Sequence, residues 1–72
     1  MDAIHLQGIG KFRAKKAKEF KVGEKIVYNY GETSILKEIK PIGKSSLLWT
    51  TESKGKLYTR KVRKETLRGW HL

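Results

Sequence analysis

The sequence predicts a mainly β fold, a small barrel of about five antiparallel strands, with a basic N-terminal arm or short helix at residues 1–19 ahead of the barrel at 20–72. Three observations carry this. Short segments that alternate apolar and polar residues recur from residue 20 onward. Turn residues (Gly23, Gly31, Pro41, Gly43, Gly55) separate them at roughly ten-residue intervals. Helix-favouring Ala, Lys and Glu instead concentrate before residue 20.

The N-terminal segment mixes signals. Gly8 and Gly10 precede a run from Lys11 to Phe20 whose residues 13–19 favour one or two helical turns. Phe12, Lys16 and Phe20 give only a partial apolar stripe, so such a helix depends on packing against the rest of the fold. A first strand near residues 4–6 or 9–12 fits equally well.

Lys21, Val22 and Gly23 form an entry turn, after which residues 25–30 alternate. Ile26, Tyr28 and Tyr30 fall on one face, Val27 and Asn29 on the other. Residues 30–33 are turn-like, because Gly31 takes positive φ without strain. Residues 34–40 read as the next strand, ended by Pro41, which cannot donate to a ladder. Residues 46–52 are rich in strand-forming types. Residues 53–56 make a hairpin loop and 57–63 return antiparallel. Residues 64–67 read as one 3₁₀ turn and 68–71 as a short closing strand. A meander, or a three-stranded sheet backed by an N-terminal helix, is the competing arrangement. The expected core is Ile26, Tyr28, Ile35, Ile39, Leu48, Tyr58, Val62 and Leu67, with Tyr30 and Trp49 exposed and Trp70 over the barrel end.

A chain of 72 residues holds one domain with a thin stability margin, about 3–5 kcal/mol from the core. It has no Cys, which excludes disulfides and Cys-ligated zinc. The N-terminus lacks a basic region followed by a long apolar run, and no stretch approaches the ~20 apolar residues of a membrane span. A soluble, cytoplasmic protein is the expectation, with no membrane partner.

Catalytic and cofactor motifs fail on inspection. Gly43-Lys44-Ser45 lacks the upstream Gly of a phosphate loop, since position 38 is Glu, and a strand follows it where a helix is needed. Gly8 and Gly10 are half of a dinucleotide fingerprint, with Arg13 where the third Gly belongs. His5 and His71 have no Cys or carboxylate pair to complete a metal site. Ser34, Ser45, Ser46 and Ser53 sit at turns or strand starts, and the acids are scattered among lysines. The expectation is a non-enzyme without cofactor or metal.

Charge is the informative feature. Lys and Arg number 17 against 7 Asp and Glu, a formal net charge of +10. The cations form two groups, one from Lys11 to Lys21 and one from Lys56 to Arg68. The second holds six cations and a single acid, Glu65, on a segment that alternates like a strand. Such density attracts phosphate backbones. Strand parity puts Thr59, Lys61 and Arg63 outward and Tyr58, Arg60 and Val62 toward the core, with Arg60 at the core edge against an aromatic ring.

Residues 20–31 (Phe-Lys-Val-Gly-Glu-Lys-Ile-Val-Tyr-Asn-Tyr-Gly) and 55–67 (Gly-Lys-Leu-Tyr-Thr-Arg-Lys-Val-Arg-Lys-Glu-Thr-Leu), with a hairpin between them, resemble the SH3-like small barrels, among them KOW and Tudor modules. They also resemble short proteins encoded by phages of Gram-positive bacteria. The resemblance spans about residues 18–70 and implies an SH3-like barrel fold more than a function.

The expected function is therefore nucleic-acid binding, DNA or RNA, with low sequence specificity. Lys61, Arg63, Lys64 and Arg68 contact phosphates, Lys15, Lys16 and Lys18 assist, and Arg60 lies beside them. Tyr30 or Trp49 stacks on bases if the target is single-stranded. The alternative is a phage-type protein-interaction module that holds an acidic or proline-rich segment against Tyr28, Tyr30 and Trp49.

Overall fold

The computed structural model describes residues 2–71. The fold is mainly β. Seven strands, β1 (Asp2–Leu6), β2 (Gly10–Lys16), β3 (Lys25–Val27), β4 (Thr33–Pro41), β5 (Ser46–Ser53), β6 (Lys56–Arg63) and β7 (Leu67–His71), form one sheet. The order is β1-β2-β7-β3-β4-β5-β6. Every neighbouring pair is antiparallel. The sheet is open, with β1 and β6 at its edges, so it is not the barrel of about five strands the sequence predicts.

Residues 2–16 account for the two extra strands. Neither an arm nor a helix forms there. β1 and β2 pair from Asp2↔Ala14 to Leu6↔Gly10, and β2 pairs in turn with β7. Ile4, Leu6, Phe12 and Ala14 alternate onto one face of that hairpin, with Leu6 and Ala14 buried. Closing an apolar face outweighs a helix propensity worth a few tenths of a kcal/mol per residue. The helical remnant of the N-terminal segment is a 3₁₀ turn at Ala17–Glu19. β1 also packs on β7, two strands away in the sheet, which marks a strong curl.

The main core gathers Ala17, Phe20, Ile26, Leu36, Leu47, Trp49 and Val62. Tyr28, Ile39 and Trp70 are half-buried against it, but Ile35, Leu48 and Tyr58 are not among its members. Parity explains the differences. On β5 the inward set is Leu47, Trp49 and Thr51, so Leu48 lies on the outer face. On β4 Ser34 and Leu36 point inward, which turns Ile35 out. A bulge between Leu36 and Glu38 then resets the alternation and returns Ile39 to the core.

Two expected turns take other forms. β3 stops at Val27 and a 3₁₀ turn covers Asn29–Gly31. Residues 64–65 make a hydrogen-bonded turn closed by Thr66 N–H donating to the Arg63 carbonyl at 3.1 Å. The β5–β6 hairpin matches the expectation closely: Lys54 and Gly55 both take positive φ (53° and 78°), the type I′ geometry that fits the strand twist.

Candidate nucleic-acid interface

The two basic groups have opposite fates. In the N-terminal group three cations, Lys15, Lys16 and Lys18, meet acids. Lys15 Nζ donates to both Glu24 carboxylate oxygens at 2.9 and 2.7 Å. It also lies 4.5 Å from the Trp70 ring centroid and 5.0 Å from that of Phe20. Burial pushes the Glu24 carboxyl up, but the Lys15 ammonium and the Lys21 amide N–H outweigh it and hold it below its ordinary value. Lys15 is thus part of the scaffold.

Lys16 and Lys18 converge on Glu65 at 2.9 and 2.7 Å. The chain builds this cluster by backbone bonds, Ala17 N–H to the Thr66 carbonyl at 2.8 Å and Lys18 N–H to the Lys64 carbonyl at 3.1 Å. Hydrogen bonds from Lys18 and then Lys16 bring the Glu65 carboxyl down to about 2, and the same carboxylate raises Lys16. A carboxyl whose folded pKa lies below its unfolded value stabilises above the unfolded value and loses that effect as pH falls through the folded one. The expected result is that Glu65→Gln lowers Tm at pH 6 by a small amount, because the group is exposed, and that this difference shrinks as pH falls from the ordinary carboxylate range toward 2. An equal drop at both pH values in a thermal-melt series would contradict the ion-pair assignment.

The second group stands free. Among the described residues no acid lies within ion-pair distance of Lys54, Lys56, Arg60, Lys61 or Arg63. Glu52, the one acid on the β5–β6 hairpin, is held by Lys37 of β4 at 3.3 Å. Every residue of β6 except Val62 is exposed, because β6 ends the sheet. Lys61 and Arg63 alternate outward opposite Leu48 and Ser46. Arg60 faces the other way, across from Trp49, with its guanidinium carbon 5.6 Å from the Tyr28 ring centroid.

Beside Arg60 an open groove of about 650 Å³ runs between the 28–34 turn and the β5–β6 hairpin. Tyr28, Tyr58 and Arg60 form one side, Glu32 and Lys54 lie on the lining, and Ser34 and Thr51 complete it. Tyr58 is 51% exposed, since β6 runs on past the core that Val62 plugs.

The remaining predicted site residues disperse. Trp49 is not a surface platform: it is fully buried, edge-to-face with Phe20 at 5.1 Å. Tyr30 is exposed but lies outside the groove, at φ 63°, its N–H donating to the Gln7 carbonyl at 2.6 Å. Its ring lies so close over Gly8 that a Cβ there would come within 2.6 Å of it. Lys64 is half-buried in the turn after β6. Arg68 is half-buried on β7 opposite Lys15, with its Nε enclosed and unpartnered. The structure therefore keeps Arg60, Lys61 and Arg63 on the edge strand β6, Arg60 on one face and Lys61 and Arg63 on the other, with Lys15 and Arg68 on the paired strands β2 and β7.

Sequence reasoning did not place Tyr58 or Lys54 beside this groove. The signal for Tyr58 was that its segment carries too few apolar residues to be a buried strand. Among the described residues, no group of three or more His, Cys, Asp or Glu side chains assembles to hold a metal ion. No helix is long and apolar enough to cross a membrane. Comparison with protein-family models, curated proteins and solved structures finds no match.

Proposed function

We propose that this protein binds nucleic acid without catalysis, holding the phosphate backbone along β6 with little dependence on base sequence. One observation carries the reading: the cations of β6 and its hairpin are exposed and without an acid partner, while three cations of the N-terminal group, Lys15, Lys16 and Lys18, are held by Glu24 and Glu65. Lys61 and Arg63, two residues apart on one face, offer phosphate contacts about 7 Å apart along an extended strand. Positioning by phosphates alone carries no sequence information.

A cationic edge strand also blocks edge-to-edge association, and the two roles separate by salt. Titration of labelled single- and double-stranded oligonucleotides across a salt series is expected to give a linear fall of log K with log[salt]. The slope is about −0.7 to −0.9 per phosphate contact. A flat response, or no binding at low salt, would leave β6 with only the blocking role.

A further inference from the structure

We infer that the groove between the 28–34 turn and the β5–β6 hairpin is a subsite for an unpaired base, so that the ligand of this protein is single-stranded nucleic acid. This rests on the nucleic-acid reading above and specifies its substrate class. Tyr58, half exposed on the wall, offers a ring face next to the free cations of β6. Arg60, held over Tyr28, presents a flat cation on the same strand face two residues on. Aromatic and guanidinium planes are the surfaces on which bases stack.

The polar lining sharpens the assignment. Ser34 and Thr51 also line the groove as largely buried residues, and their hydroxyls are not among the enclosed unpartnered atoms, so they are open to a ligand in the groove. Hydroxyls can donate to or accept from the edge of a base. Glu32 on the lining disfavours a phosphate there and favours the exocyclic N–H groups of a base. Phosphates belong on Lys61 and Arg63, which alternate onto the other face of the same edge strand. A base inside a duplex has both faces covered and its pairing edge occupied, so only an unpaired one enters. A volume of about 650 Å³ suits one or two nucleotides.

The test is fluorescence anisotropy with a labelled oligothymidylate, the same strand annealed to its complement, and an oligouridylate. Wild type is expected to bind both single strands at least tenfold more tightly than the duplex. Tyr58→Ala should weaken single-strand binding roughly 5- to 150-fold and leave duplex binding within twofold, while Tyr58→Phe, which keeps the ring, retains wild-type affinity. Equal single-strand and duplex affinities, or Tyr58→Ala binding single strands like wild type, would overturn the groove assignment and leave the backbone reading standing. No binding to any of the three probes would overturn both. Tyr58→Phe and a circular-dichroism melt of Tyr58→Ala distinguish a lost stack from a lost fold.

Discussion

Trp49→Ala is expected to abolish cooperative folding at 25 °C. The indole is fully enclosed, packs edge-to-face on Phe20, and lies among Ile26, Leu36, Leu47 and Val62. Truncating a buried Trp costs about 3–5 kcal/mol, the same size as the whole core contribution of a domain this small, about 3–5 kcal/mol. Trp49→Phe is the informative partner. It keeps an aromatic ring against Phe20 and removes the indole N–H, which is buried without a hydrogen-bond partner. That variant should fold, with Tm lowered by about 4–8 °C for each kcal/mol lost to the smaller ring. Thermal and urea melts followed by circular dichroism decide it. A cooperative Trp49→Ala transition within a few degrees of wild type would mean that the core is not centred on this residue.

Trp49 also shows where reading the sequence failed. Leu47, Leu48 and Trp49 are three consecutive apolar residues, so the alternation that fixes an inward face is absent, and a slip of one residue exchanges every side chain. The choice comes from across the ladder, where Leu47 meets Val62. Ile35 and Leu36 pose the same ambiguity, compounded by the bulge that follows. Strand boundaries were clearer because they are set locally: Gly55, Pro41 and Gly31 end or begin the predicted segments at or near their observed limits. The N-terminal hairpin was hidden for the opposite reason. The Ala, Lys and Glu of residues 13–19 carry a local helix preference, whereas the pairing of β2 with β7 joins opposite ends of the chain.

For the candidate site, the density of cations on β6 could be read directly, and so could the placing of Arg60 against a ring. The pairing of Lys16 and Lys18 in the first basic group could not. Glu65 reaches Lys16 and Lys18 only because the 64–65 turn folds back onto the 3₁₀ turn at Ala17–Glu19. An acid counted within the second group thus serves the first, which leaves β6 more positive than its sequence neighbourhood suggests.

That displacement gives the sharpest functional expectation. Lys61→Ala with Arg63→Ala, and Lys16→Ala with Lys18→Ala, each remove two of the charges that make up the formal +10, so a ligand attracted only by net charge would weaken equally for both. The β6 pair is expected to lose two phosphate contacts, which lowers the salt slope by about 1.4–1.8 and the affinity roughly 25- to 60-fold at 0.1 M salt. The Lys16 and Lys18 pair should change affinity by less than threefold, because both ammonium groups are already committed to Glu65. Glu65→Gln then supplies the converse: it frees two cations away from β6, and affinity should rise only slightly. Lys61 and Arg63 are exposed at the sheet edge, so their removal leaves the core intact and the comparison reads binding alone. Equal losses from the two double variants would make the attraction a property of total charge and remove β6 as the interface.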